Sequence, residues 1–135
     1  MKINTKIRYG LRMLIAIAQA NSLVNTTDLG ERMQVSPKYL RKLVGPLEKA
    51  GLVRSVQGIH GGYRLALKPE QITLQMLMDA FQERLSLADC VVGKNCGLKD
   101  TCLARQVWEM LERTLHDRFS PVTLADILQR RLGKP

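Results

Sequence analysis

The residue pattern predicts a mainly α fold with a small β-hairpin wing, that is, a winged helix-turn-helix followed by a C-terminal dimerisation helix. Three observations predict it. Residues 36–66 read as a capped helix that runs directly into two short β-prone stretches. A shorter helix precedes them across a tight connection. The net charge of +9 is confined to one half, because residues 1–68 hold twelve Lys/Arg against three Asp/Glu while residues 69–135 hold nine of each. A helix can enter a DNA major groove and a hairpin can touch its backbone or minor groove, so a basic helix-plus-hairpin reads as a DNA interface. An ordinary helix–hairpin with a solvated basic face is the alternative.

Each element has its own signals. Residues 2–20 form a first helix with an apolar stripe of Ile7, Leu11, Leu14, Ile15 and Ala18, and Asn21-Ser22 breaks it. Lys2, Lys6, Arg8 and Arg12 cluster at its start, either as a solvated face or as contacts to DNA phosphates. Thr26-Thr27-Asp28 caps a second helix, roughly 27–34. Ser36 caps the third, with Pro37 at its first position, where a missing N–H is harmless. Leu40, Leu43, Val44 and Leu47 share one face of that helix; Lys38, Arg41, Lys42 and Lys49 fall largely outside it. Gly51 ends it, since glycine enters the left-handed conformation without steric cost. Strands 52–56 and 63–67 then flank a turn at 57–62, and Lys68-Pro69 ends the wing.

The second half continues with a helix over about 74–83 that turns Leu74, Leu77, Met78 and Phe81 inward, with Met76 and Met78 as core filler. A loop follows over 86–101. Residues 103–119 read as a long helix with a stripe of Val107, Trp108, Leu111, Leu115 and Phe119, ended by Pro121. Val122-Thr123 starts a last helix, whose C-terminus Arg130 and Arg131 suit through the helix dipole. The final residues are expected to fray. The long helix carries more apolar surface than so small a domain covers, which predicts a homodimer built on it. Trp108 serves either that contact or the intramolecular core.

Composition narrows the classes. A chain of 135 residues with 45% hydrophobic content makes one domain, or a small domain with an appended helical segment. The division expected is 1–68 as the DNA-binding part and 69–135 as a cysteine loop with dimerisation helices, in one compact unit. No signal-peptide pattern opens the sequence and no apolar run is long enough to span a membrane, so a cytoplasmic protein without membrane partners is expected. An enzyme is not expected: there is no evident nucleophile–base pair, and Gly58, Gly61 and Gly62 lie in a hairpin rather than between strand and helix.

Three cysteines, Cys90, Cys96 and Cys102, are spaced five residues apart. An odd count argues against a disulfide framework. The spacing lacks the close pairs of zinc fingers. Soft thiolates on a loop can hold an iron–sulfur cluster; a thiol-redox pair and unligated thiols are the other readings.

Several stretches together resemble the IscR/NsrR-type bacterial repressors. They are Met1-Lys2-Ile3-Asn4-Thr5-Lys6, Arg8-Tyr9-Gly10-Leu11, Ser36-Pro37-Lys38-Tyr39-Leu40, Lys49-Ala50-Gly51-Leu52-Val53, Gly61-Gly62-Tyr63-Arg64-Leu65, the three cysteines and Thr123-Leu124-Ala125-Asp126. The resemblance covers nearly the whole chain. It implies a small dimeric winged-helix regulator that senses iron–sulfur status, nitric oxide or redox state, with Cys90, Cys96 and Cys102 as ligands of a 2Fe–2S or 4Fe–4S cluster. The fourth ligand does not carry over. The IscR branch has a histidine where this chain has Arg105, and the NsrR branch can use an acidic residue where this chain has Arg8. A guanidinium has no free acceptor for iron. His116 lies about 20 Å along the helix axis from Cys102 and reads as a surface residue. An unidentified acidic side chain, a small thiol or water is left for the fourth site.

The expected partner is double-stranded DNA with a roughly palindromic operator. Lys38, Tyr39, Arg41, Lys42, His60, Arg64 and Arg8 are the expected contacts. Arg41 stands where the IscR branch has glutamate; arginine pairs with guanine O6/N7, whereas glutamate accepts from cytosine. The alternatives are a cluster-free winged-helix regulator using thiol redox or another effector and, from another class, an iron–sulfur electron-transfer or cluster-carrier protein.

Overall fold

The computed structural model describes residues 2–93 and 95–133. Six α-helices and a two-stranded antiparallel hairpin follow in the order α1 (Thr5–Ala20), α2 (Thr26–Met33), α3 (Pro37–Lys49), β1 (Val53–Val56), β2 (Gly62–Leu65), a 3-10 turn at Pro69–Gln71, α4 (Leu74–Ala80), α5 (Leu103–Phe119) and α6 (Leu124–Leu128). The mainly helical fold with a β wing is the one expected. The fraying expected at the C-terminus falls partly on Lys134 and Pro135, which lie outside the described residues.

The helix starts are local chemistry. Asn4 caps α1 by accepting from the Lys6 N–H at 2.7 Å, so the helix begins at Thr5 rather than at Lys2. Asn25 caps α2 by accepting from the Asp28 N–H at 2.8 Å. The expected Thr26–Asp28 cap thus gives way to the carboxamide one residue earlier, which reaches the N3 amide. Ser36 caps α3 as expected, accepting from the Tyr39 N–H at 3.2 Å. At the other end, Gly51 takes φ +76°. Leu52 N–H then reaches the Leu47 carbonyl at 2.9 Å and Gly51 N–H the Glu48 carbonyl at 3.0 Å. This Schellman closure buries Leu52 against Leu47, both fully shielded. Pro46 lies inside α3; it offers no N–H to the Lys42 carbonyl, yet the helix continues for another turn.

One continuous core joins both halves. Met13, Leu14 and Ile17 of α1 pack with Leu29, Met33, Leu40, Leu43 and Leu47 of α2 and α3, and with Leu77, Met78 and Phe81 of the α4 region. The expected α1 stripe is rotated. Gly10, Met13, Ala16 and Ile17 are buried with Ile7 and Leu14, whereas Leu11, Ile15 and Ala18 are only half-buried. The helix is apolar nearly all round after Leu11, so periodicity does not single out one face.

In the wing, Val53 pairs with Leu65, Arg54 with Arg64, Ser55 with Tyr63 and Val56 with Gly62. Val24 bridges Tyr63 as a further pairing on the β2 edge. The two strands are shorter than the expected 52–56 and 63–67. A second bridge, Thr73 to Thr123, ties the start of α4 to the start of α6. No described helix is long and apolar enough to cross a membrane.

Candidate nucleic-acid interface and cysteine loop

The burial of Leu40, Leu43, Val44 and Leu47 decides which side of α3 faces out. Lys38, Arg41 and Lys42 are therefore exposed. The turn that aims α3 is short. Gln34 adopts the left-handed conformation at φ 57°, and Val35 N–H bonds the Gly30 carbonyl at 3.1 Å.

Tyr39 is half-buried, and its ring meets Tyr9 edge-on, with centroids 5.5 Å apart and planes at 87°. The Arg12 guanidinium carbon lies 5.0 Å from the Tyr9 ring centroid. Its Nη2 donates to the Met33 carbonyl at 2.9 Å. Arg12 thus caps the C-terminal end of α2 and stacks on the aromatic pair that braces α3 against α1. This sets it apart from Lys2, Lys6 and Arg8, its neighbours in the basic cluster at the start of α1. Arg8 is exposed and donates to Thr5 Oγ1 at 3.4 Å.

In the wing, Arg64 is exposed and His60 sits in the exposed turn. Arg54, which sequence reasoning missed, is also exposed and stands directly opposite Arg64. Like charges facing each other across a hairpin are unfavourable in isolation and favourable against a polyanion. Only the strand register could reveal the pair. The wing is anchored to α3 by Glu48 Oε1, which accepts from the Ser55 N–H at 3.2 Å.

Cys90, Cys96 and Cys102 are all free thiols; Cys96 is exposed and the other two are half-exposed. The loop hydrogen bonds are short-range, such as Val91 N–H to Ala88 O at 3.0 Å and Lys99 N–H to Cys96 O at 3.1 Å. Cys102 is the N-cap residue of α5 and makes no side-chain capping bond. Among the described residues, no three His, Cys, Asp or Glu side chains come together so as to hold a metal ion.

The family model for Rrf2, iron-dependent transcriptional regulators, matches residues 3–130. The chain belongs to the Rrf2 family. It is 36% identical over 132 residues to protein rrf2 of Nitratidesulfovibrio vulgaris, spanning 96% of this chain and 88% of that protein. Among solved structures it is similar to IscR of T. potens, with a TM-score of 0.77 at 28% identity over 100% of this chain and 94% of that one. It is also similar to CymR, the global cysteine regulator of B. subtilis, with a TM-score of 0.80 at 28% identity over 96% and 98% of the two chains. As an Rrf2 protein of winged-helix fold, it is a DNA-binding transcriptional regulator.

In this Rrf2 chain the donor set fits an iron–sulfur cluster by chemistry: three free cysteine side chains within one stretch, none of them buried. Arginine stands at both positions from which the resemblance would draw a fourth ligand. Arg105 is held by Glu109 Oε1 at 2.7 Å and by the Lys99 carbonyl at 3.3 Å. Arg8 is exposed on α1. His116 shares a hydrogen bond with Gln75 Oε1 at 3.0 Å on the body of α5, away from the cysteine loop in sequence.

Most of α5 stands clear of the core, against which its last residue, Phe119, is packed. No α5 residue is buried. Leu103, Val107, Met110, Leu111 and Leu115 are exposed at helical spacing, and Trp108 is 41% exposed. Trp108 thus lies outside the intramolecular core.

Proposed function

We propose that the protein is a homodimeric repressor that docks α3 of each subunit in the major groove of a palindromic operator and responds to iron–sulfur, redox or nitric oxide status through its cysteine loop. The observation that carries the DNA reading is the row of Lys38, Arg41 and Lys42 on the outer face of α3, beside a wing bearing Arg54 and Arg64. Lys38 and Lys42 neutralise phosphates. Arg41 reads a guanine edge. Tyr39 holds the helix start in register and presents its hydroxyl to the backbone. Arg8, Arg64 and His60 contact the flanking DNA. Residues 1–68 carry these contacts, and residues 69–135 carry sensing and dimerisation. The two-fold axis runs beside α5, whose apolar face is covered by its symmetry mate, and half-sites lie about 34 Å apart or at a multiple of that spacing.

Cys90, Cys96 and Cys102 would hold the cluster, 2Fe–2S or 4Fe–4S, with a fourth ligand from outside this set. Such a cluster supplies iron whose redox state, lability and reaction with nitric oxide carry the signal. The chain's own contribution is positional. Cys102 begins α5, so ligation there orders the segment between α4 and the dimer helix and shifts the spacing of the two DNA-binding heads. The alternative is a cluster-free winged-helix regulator that responds through thiol redox at Cys90, Cys96 and Cys102 or through another effector.

The test is anaerobic purification with iron and sulfide analysis, followed by DNA binding of holo and apo protein to duplexes selected from a randomised pool. Iron and sulfide in matching amounts, lost on Cys96→Ser, with different DNA affinities for the two forms, is the expected result. Equal affinities overturn sensing by the cluster. Iron-free protein that resists reconstitution moves the signal to the thiols.

A further inference from the structure

We infer that Ile59 is an apolar wedge, which the wing inserts into the minor groove beside the α3 site so that one base step unstacks and the duplex bends. The inference rests on the DNA-docking reading above. Ile59 is 98% exposed, more than any other large apolar side chain described. Of the twelve other exposed large apolar side chains described, six lie on α5, where the dimer contact proposed above accounts for them together. Ile59 stands alone at the apex of a hairpin, where water is the worst solvent for it.

The apex is built rather than loose. Gly61 N–H bonds the Gly58 carbonyl at 3.0 Å, closing a four-residue turn with Ile59 and His60 at its corners. Gly58 adopts φ +109°, which side chains rarely take. A Cβ at Gly61 would collide with the Val56 carbonyl, and one at Gly62 would lie 2.5 Å from the Val24 carbonyl. These constraints make the turn narrow, and the Ile59 side chain at its apex stands in solvent. A β-branched side chain is also stiff at χ1, so inserting it costs little rotamer entropy.

The charge around the apex sets its target. Arg54 and Arg64 are exposed on the strands below it, which draws the wing onto phosphates. Minor-groove proteins insert such apolar side chains between base steps, and pyrimidine–purine steps open most easily.

The test uses a duplex selected by the wild-type protein from a randomised pool, labelled at both ends so that energy transfer reports bending. Wild-type protein is expected to bend it. Ile59→Ala is expected to lose most of the bend and about tenfold in affinity, as when one buried apolar anchor is removed. Its salt dependence and melting temperature should stay unchanged, because no phosphate contact or core packing is lost. Ile59→Leu should restore both bend and affinity. Replacing the pyrimidine–purine step with a stiffer one should weaken the wild type and leave Ile59→Ala unaffected. An Ile59→Ala protein that binds and bends like wild type overturns the wedge, as does an affinity loss accompanied by a shallower salt slope. A wild type that binds no duplex in the pool overturns the DNA-docking reading itself.

Discussion

Arg12 and Arg41 carry the same guanidinium, and their surroundings divide their work. Arg12 is held by the Met33 carbonyl and the Tyr9 ring. Arg41 is exposed on α3. Arg12→Gln should lower stability by roughly 1–3 kcal/mol, the worth of a charge-assisted hydrogen bond, with the salt slope of DNA binding unchanged. Arg41→Ala should leave stability intact and cost about 1–3 kcal/mol at one contacted base pair. Thermal melts and sequence selection on both variants check this. An Arg41→Ala protein that ranks operators as wild type does removes Arg41 from base reading, and a reduced salt slope for Arg12→Gln returns Arg12 to the phosphates.

The short helix α6 depends on its capping box. Thr123 Oγ1 accepts from the Asp126 N–H at 3.1 Å, and Asp126 Oδ2 accepts from the Thr123 N–H at 3.0 Å. The Thr123 backbone amide first and its hydroxyl next hold the Asp126 carboxyl below its ordinary value; burial opposes them more weakly, and the Arg131 charge adds the smallest lowering effect. A lowered carboxyl pKa contributes stability that is present above the ordinary carboxylate value, about 3.9, and is lost as pH falls through the lower folded value. Denaturation of Asp126→Asn should therefore show lower stability than wild type at neutral pH, with the difference shrinking in acid. A difference independent of pH would mean that the charge contributes nothing. Because the Thr73–Thr123 bridge joins this box to α4, loosening α6 also loosens the helix that precedes the cysteine loop.

At the scale of the whole molecule, the proposed dimer makes the exposed face of α5 and the basic face of α3 two halves of one device. A monomer offers a single recognition helix, whereas two on a shared duplex gain the effective concentration that a linked second site provides. Trp108→Asp combined with Leu111→Asp should give monomers in sedimentation velocity. Operator affinity should fall by roughly 100-fold or more, while helix content is retained, since neither side chain belongs to the core. A dimer that survives both charges places the interface elsewhere.

Local signals were legible along the chain. Ser36-Pro37 starts α3, Gly51 ends it, and α5 occupies 103–119 as its apolar spacing requires. Each depends on bonds reaching only a few residues. The exposure of Lys38, Arg41 and Lys42 followed too, because the opposite face of that helix is unambiguously apolar. The core face of α1 could not be read this way, since its second half is apolar all round and only the packing of α2, α3 and α4 selects a side. Neither could the facing pair Arg54 and Arg64, which depends on strand register, nor the fate of Arg12, whose partners lie on another helix and on a ring one turn away. The cysteine spacing is a fact of the chain, whereas bringing three thiols to one point is a question of three dimensions. Contacts between residues distant in sequence carry no local periodicity, and so the tertiary structure alone decided them.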